Sequence, residues 1–142
     1  MGLFHLTCML PFKVTTKKCT WTPTISDAKN AFCVTVKNTN EIEKELAKRK
    51  ATLERKGMDD HPFIIFSTET KGYFVRYRSI SYRSESFLDI IDTAFKIFVL
   101  FDLTLPADCS KIWHFFNRIF YRVNLKTPPN AAMMSMMSSF DF

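Results

Sequence analysis

Asp59, Asp60 and His61 stand in a row before Pro62. Two carboxylates and an imidazole are the ingredients of a metal site or of an acid–base pair. Sequence neighbours point in different directions, though, and no second cluster is visible to complete the set, so the run reads as a polar loop. Cys109 stands near an expected helix start, where the dipole lowers a thiol pKa. No base lies within a few helical residues to make it a nucleophile. Asp89 and Asp92 share a helix face at i, i+3 and could hold Mg²⁺. Carboxylates in the first turns of a helix also complement its dipole, and that is the simpler role. His114 falls inside an aromatic helical pattern, and His5 in an apolar N-terminal stretch. Cys8, Cys19, Cys33 and Cys109 form no C-x-x-C pair and have no histidine at zinc spacing. Only three glycines argue against a phosphate-cradling loop. The chain therefore reads as a non-enzyme, with no catalytic residue, no metal, no cofactor and no small-molecule substrate.

The residues best suited to recognition lie on one strand-like stretch. Tyr73, Tyr77 and Tyr82 are interleaved with Arg76, Arg78 and Arg83. Bases stack on aromatic faces and arginines neutralise phosphates, so these six residues make a candidate nucleic-acid contact. A formal charge of +6 permits such a partner without requiring one. The stretch Lys71-Gly72-Tyr73-Phe74-Val75-Arg76-Tyr77 resembles the RNP1 strand of the RNA-recognition motif with one residue deleted. Phe32 to Asn38 is similar to that family's RNP2, and the order strand, helix, strand, strand, helix agrees with it. The deletion shifts strand alternation, which would take the stacking aromatics off a common face.

The elements that must position these groups are organised around Ser84 to Tyr121. The pattern there predicts two helices joined at Leu105-Pro106, with Pro106 in the first turn of the second. Fifteen phenylalanines are unusual for 142 residues, and this pair of helices carries many of them. Such a pair can be the domain's own core, or an interface as well. Phe95, Phe98, Phe101, Trp113, Phe116 and Phe120 are the candidate interface residues.

Ahead of the pair, Thr24 or Ser26 caps a short helical turn, and Ala31 to Lys37 reads as a strand with Phe32, Val34 and Val36 on one face. Thr39 or Asn40 caps a highly charged helix that ends at Gly57; Lys48, Arg49 and their neighbours read as its solvated face. Phe63-Ile64-Ile65-Phe66 reads as a strand buried on both sides, and Tyr73 to Tyr77 as another. Ile80 to Arg83 either continues it or forms a short strand of its own. The expected fold is α+β: a sheet of about three strands in the order β-α-β-β-α-α, with helices on one face and the aromatic helical hairpin packed on it.

Residues 14–123 are expected to form that single domain, with 1–13 a loosely held arm and 124–142 a disordered Met/Ser-rich tail. No stretch reaches the ~20 apolar residues of a membrane span. The cysteines read as thiols in a reducing, intracellular compartment, nuclear or cytoplasmic. From Phe87 to Phe98, followed by Leu103-Thr104-Leu105-Pro106 and Ile112-Trp113, the chain resembles a module of uncharacterised invertebrate proteins, many derived from transposable elements. That resemblance implies an accessory module and carries over no catalytic residue. Together these features predict a protein–protein interaction or self-association domain using the Phe-rich helices; the alternative is nucleic-acid binding by residues 73–83.

Overall fold

Thr24 caps the first helix, α1 (Ile25–Phe32), in a computed structural model that describes residues 14–16 and 18–126. The Thr24 hydroxyl accepts from the Asp27 N–H at 3.0 Å, and the Asp27 carboxylate accepts from the Thr24 N–H at 3.0 Å. This reciprocal box satisfies two N–H groups that the first turn leaves without helical partners. Upstream, β1 (Val14–Thr15) and β2 (Thr20–Trp21) form an antiparallel pair. The expected arm, 1–13, and the tail from 127 onward lie outside the described residues.

α1 runs without a turn into β3 (Cys33–Val36). Ala31 and Phe32 are therefore helical, which corrects the strand expected from Ala31. Ala28, Ala31 and Phe32 recur at helical spacing and form the buried face of α1. That shared burial outweighs the strand preference of an aromatic residue.

α2 (Ile42–Lys56) begins after the expected cap, and the helical turn that leads into it is capped one residue earlier than expected, at Asn38. The Asn38 side chain accepts from the Asn40 N–H at 3.0 Å, and a 3-10 turn, Thr39–Glu41, leads into the helix. Gly57 ends it in the left-handed region, at φ 67°, and the Met58 N–H reaches back to the Leu53 carbonyl at 2.8 Å. A Cβ at Gly57 would stand 3.1 Å from Lys18 Cγ. Gly57→Ala is expected to cost about 1–2 kcal/mol, read as a lower urea midpoint with unchanged slope.

The main sheet has four strands in the order β3-β4-β5-β6, with β4 at Phe63–Ser67, β5 at Gly72–Tyr77 and β6 at Ile80–Ser84. β3 pairs parallel with β4, the connection passing through α2; β4, β5 and β6 form an antiparallel meander. The sheet thus exceeds the expected three strands because Arg78-Ser79 is a two-residue turn, with Arg78 at φ 52°, rather than a continuation of β5. A fourth strand before the next helix also departs from the order that resembled the RNA-recognition motif.

Helices cover both faces, not one. On the first face Cys33, Ile64, Val75 and Tyr77 pack under α1, α3 (Phe87–Leu100) and α4 (Ser110–Phe116). On the second, Val36, Phe63 and Ile65 pack with Ile42 of α2. The period of a strand sends Ile64 and Ile65 to opposite faces, and both are fully buried, as the unbroken apolar run of β4 requires. The aromatic hairpin is the centre of the larger core: the Phe98 and Trp113 rings lie 4.9 Å apart, and Phe32 is 5.0 Å from Trp113. α4 starts at Ser110, so Pro106 belongs to the preceding loop, where its carbonyl accepts from the Cys109 N–H at 3.1 Å.

Candidate interaction surface

α3 is apolar nearly all round, and the fold uses its two sides differently. Ile90, Ile91, Ala94, Phe95, Ile97 and Phe98 turn inward. Leu88, Val99, Leu100 and the following Phe101 remain outside; Leu100 is 80% exposed and Leu88 63%. Of the six candidate interface residues, Phe95, Phe98, Trp113 and Phe116 are buried within the domain, while Phe101 (50%) and Phe120 (57%) are exposed.

Phe120 owes its position to a π-helical turn, Asn117–Tyr121, that continues α4. The wider turn breaks the helical phase. Asn117 clamps its exit: its side chain donates to the Val123 carbonyl at 2.9 Å and accepts from the Val123 N–H at 3.0 Å. Tyr121 is thereby laid flat on Phe95, with ring centroids 3.9 Å apart, and its hydroxyl donates to Asp92 at 2.7 Å. Burial, then Asp92, raises the Tyr121 pKa; Lys96, then Tyr121, holds the Asp92 carboxyl low. Between α3 and this turn lies a shallow depression of about 280 Å³ lined by Leu88, Ile91, Asp92, Phe120 and Tyr121.

The Tyr/Arg stretch is split by the pleat. Tyr73, Tyr77 and Tyr82 point to the first face, and Arg76 and Arg83 to the second. Tyr73 lies between Phe66 and Phe87, at 4.7 and 5.5 Å. Tyr77 is buried against Phe101 at 5.6 Å, and the Tyr82 hydroxyl donates to Asp89 at 2.8 Å. Arg76 pairs with Glu43 of α2, Arg83 lies over Phe74 and Arg78 over the Tyr77 ring. The tyrosines and the arginines of the two strands do not share a stacking platform.

The groups with chemical potential are drawn into structural contacts. Arg49, expected on a solvated face, is partly buried, with its side chain 10% exposed, and donates bidentately to Asp108 at 2.8 and 2.9 Å. Its Nε donates to His61 Nε2 at 3.0 Å. Because an arginine can only donate, Nε2 is the acceptor and His61 Nδ1 carries the proton, donated to the Pro62 carbonyl at 2.8 Å. His61 is buried, and burial first, then the Arg49 charge, lowers its pKa to about 4. Both ring nitrogens are thus engaged by protein groups. Nothing in the local sequence announces this network, since Arg49 and Asp108 are 59 residues apart.

The other candidates fare similarly. Asp89 and Asp92 serve Tyr82, Tyr121 and Lys96, and among the described residues no group of three His, Cys, Asp or Glu could hold a metal ion. Burial pushes the Cys33 thiol up to about 12, far from a nucleophile's range. Cys109 is buried in the core, and His114 is buried with its Nε2 lacking a hydrogen-bond partner among the described residues. No described helix is long and apolar enough to cross a membrane. Comparison with family models, with curated proteins and with solved structures returned no match.

Proposed function

We propose that this chain is a non-enzymatic association domain that binds itself or another protein through the apolar side chains its own core leaves outside. The observation that supports this is the exposure of Leu88, Leu100, Phe101 and Phe120 along α3 and the π-helical turn, beside a core already filled by Phe95, Phe98, Trp113 and Phe116. Isolated exposed apolar residues are ordinary, but here large ones are concentrated on one helix and its neighbour. The polar groups that could have built an active site are engaged in the Arg49–Asp108–His61 network and in the helix contacts of Asp89 and Asp92. Cys19, Cys33 and Cys109 are all thiols, in keeping with an intracellular setting.

Sedimentation over a wide concentration range tests the reading. The wild-type weight-average mass is expected to rise with concentration. Leu100→Glu combined with Phe101→Ser should weaken association about tenfold or more, since burying even one such side chain is worth about 1.5–3 kcal/mol. Leu100 is 80% exposed and Phe101, which rests on Tyr77, is half exposed, so the far-UV circular dichroism spectrum should change little. A mass fixed at the monomer value, with no partner recovered through this surface, would remove the proposal.

A further inference from the structure

β6 closes one side of the sheet, and among the described residues no strand lies beyond it. Its residues Ser81, Tyr82 and Arg83 are exposed. Natural edges are blunted by proline, charged side chains or a bulge. β6 has no proline and no bulge, and one charged residue, Arg83: Ile80-Ser81-Tyr82-Arg83-Ser84 pairs with β5 residue for residue from Tyr77↔Ile80 to Tyr73↔Ser84.

The direction of its backbone groups follows from that register. A two-residue turn makes Tyr77 and Ile80 a hydrogen-bonded pair. Alternation then assigns Tyr82 and Ser84 to β5 as well, and leaves the N–H and C=O of Ser81 and Arg83 pointing outward. The free edge is thus Ser81 and Arg83, with Tyr82 between them.

We propose that this edge pairs antiparallel with β6 of a second copy of the chain, about a two-fold axis at Tyr82, to give one continuous sheet. The inference rests on the self-association reading and narrows it to one geometry. The registers centred on the three middle residues of β6 differ in charge and hydrogen bonding. Centring on Arg83 would set two arginines directly opposite each other, which is unfavourable. Centring on Ser81 brings Arg83 against Ser79 of the turn, where the ladder ends. Centring on Tyr82 places Ser81 opposite Arg83 of the other copy, twice, as hydrogen-bonded pairs that use every outward group. Tyr82 then meets its own symmetry mate as a close non-hydrogen-bonded aromatic pair.

Charge at the ends agrees. Arg78 stands before β6 and Glu85 after it. Antiparallel pairing brings each copy's Arg78 end beside the other's Glu85 end, so unlike charges meet at both ends of the ladder. α3 starts just after β6, and Phe101 after its far end reaches Tyr77, the partner of Ile80 at the start of β6, so the half-exposed Phe101 flanks that end of the edge, whereas Leu88 lines the depression with Phe120 and Tyr121.

The test uses the full 142-residue chain. Ser81→Pro deletes an outward N–H but takes nothing from the β5 ladder, because Ser81 faces Arg76 in a non-hydrogen-bonded pair. Wild type should sediment as a concentration-dependent dimer, and Ser81→Pro should dimerise at least tenfold more weakly with an unchanged circular dichroism spectrum. Tyr82→Cys supplies an independent measurement. Cα atoms of a non-hydrogen-bonded pair stand about 4.5 Å apart, within disulfide reach. Mild oxidation should give a reducible covalent dimer absent from wild type, which keeps the question open to refutation if the proline variant misfolds. Wild-type association that survives Ser81→Pro, with no linked Tyr82→Cys dimer, overturns the β6 edge while leaving the apolar-surface reading in place. A wild type that stays monomeric at every concentration overturns the β6 edge together with the self-association half of that reading, and leaves only the binding of another protein.

Discussion

Replacing Asp108 with alanine is expected to destabilise the folded chain by about 3–5 kcal/mol, a large part of a domain's total stability. Asp108 accepts two hydrogen bonds from Arg49 at 2.8 and 2.9 Å, and its side chain is only 5% exposed. Burial alone would lower the Arg49 pKa; the hydrogen bonds and charge of Asp108 more than offset it and leave it above its ordinary value. Without Asp108 the guanidinium keeps its desolvation cost and loses its compensation. The damage would spread, because Arg49 also holds His61, so α2, the loop before β4 and the turn before α4 meet at one cation. Urea denaturation measures the loss. The double variant Arg49→Met, Asp108→Leu should recover most of it, since an apolar pair of similar size leaves no buried charge unpaired. A single variant within about 1 kcal/mol of wild type would show the pair to be effectively solvated.

How much of this was legible in the sequence follows from the range of the forces involved. The α2 charge gradient, its Gly57 stop and the doubly buried run of β4 are signals written within a few residues, and the structure carries each of them. The aromatic hairpin was legible for the same reason: its periodicity is dense enough to require a core, and Phe98 does meet Trp113. Boundaries decided by tertiary contact were not. Phe32 joins α1 because its ring finds Trp113 and Phe116 from a helix, a contact across about eighty residues that no local propensity encodes. Arg49 looked like its exposed neighbours Lys48 and Lys50 because charge along a helix says nothing of a distant carboxylate. The candidate surfaces divide in the same way. The sequence marks which residues are apolar or cationic, while only the crossing of α3 over β5 and β6 decides that Phe95 is inside and Phe101 outside. The edge of β6 was hidden for a further reason: whether Ile80 begins a new strand depends on Arg78 taking a positive φ, which is unusual for a residue other than glycine.

Acidification from pH 7 to 4 is expected to remove several kcal/mol of stability, with most of the loss below about pH 6.5, the ordinary histidine value. His61 and His114 are both buried, and both have pKa values lowered to about 4. For His61 the causes are burial and then the Arg49 charge, partly opposed by the Pro62 carbonyl, Asp108 and Asp60; for His114 burial is the cause. Between the two values the unfolded chain binds protons that the folded chain refuses, so stability rises with pH across that window and falls as pH drops. Each histidine can contribute up to about 3 kcal/mol. The lowered Asp92 acts in the same sense, its stabilisation being lost as pH falls through the carboxylate range. Urea midpoints taken from pH 7 to 4 should therefore give a slope approaching two protons near the middle of the window. His114→Leu separates the contributions. It removes one titration, and with it a ring nitrogen that has no hydrogen-bond partner among the described residues, so the slope should fall to about one proton. His61 has no such replacement, because any apolar residue there leaves the Arg49 Nε and the Pro62 carbonyl without their partner. A flat stability profile over the window would mean that both imidazoles are protonated in the folded chain and that His61 accepts no hydrogen bond from Arg49, since an imidazolium has no lone pair to accept it.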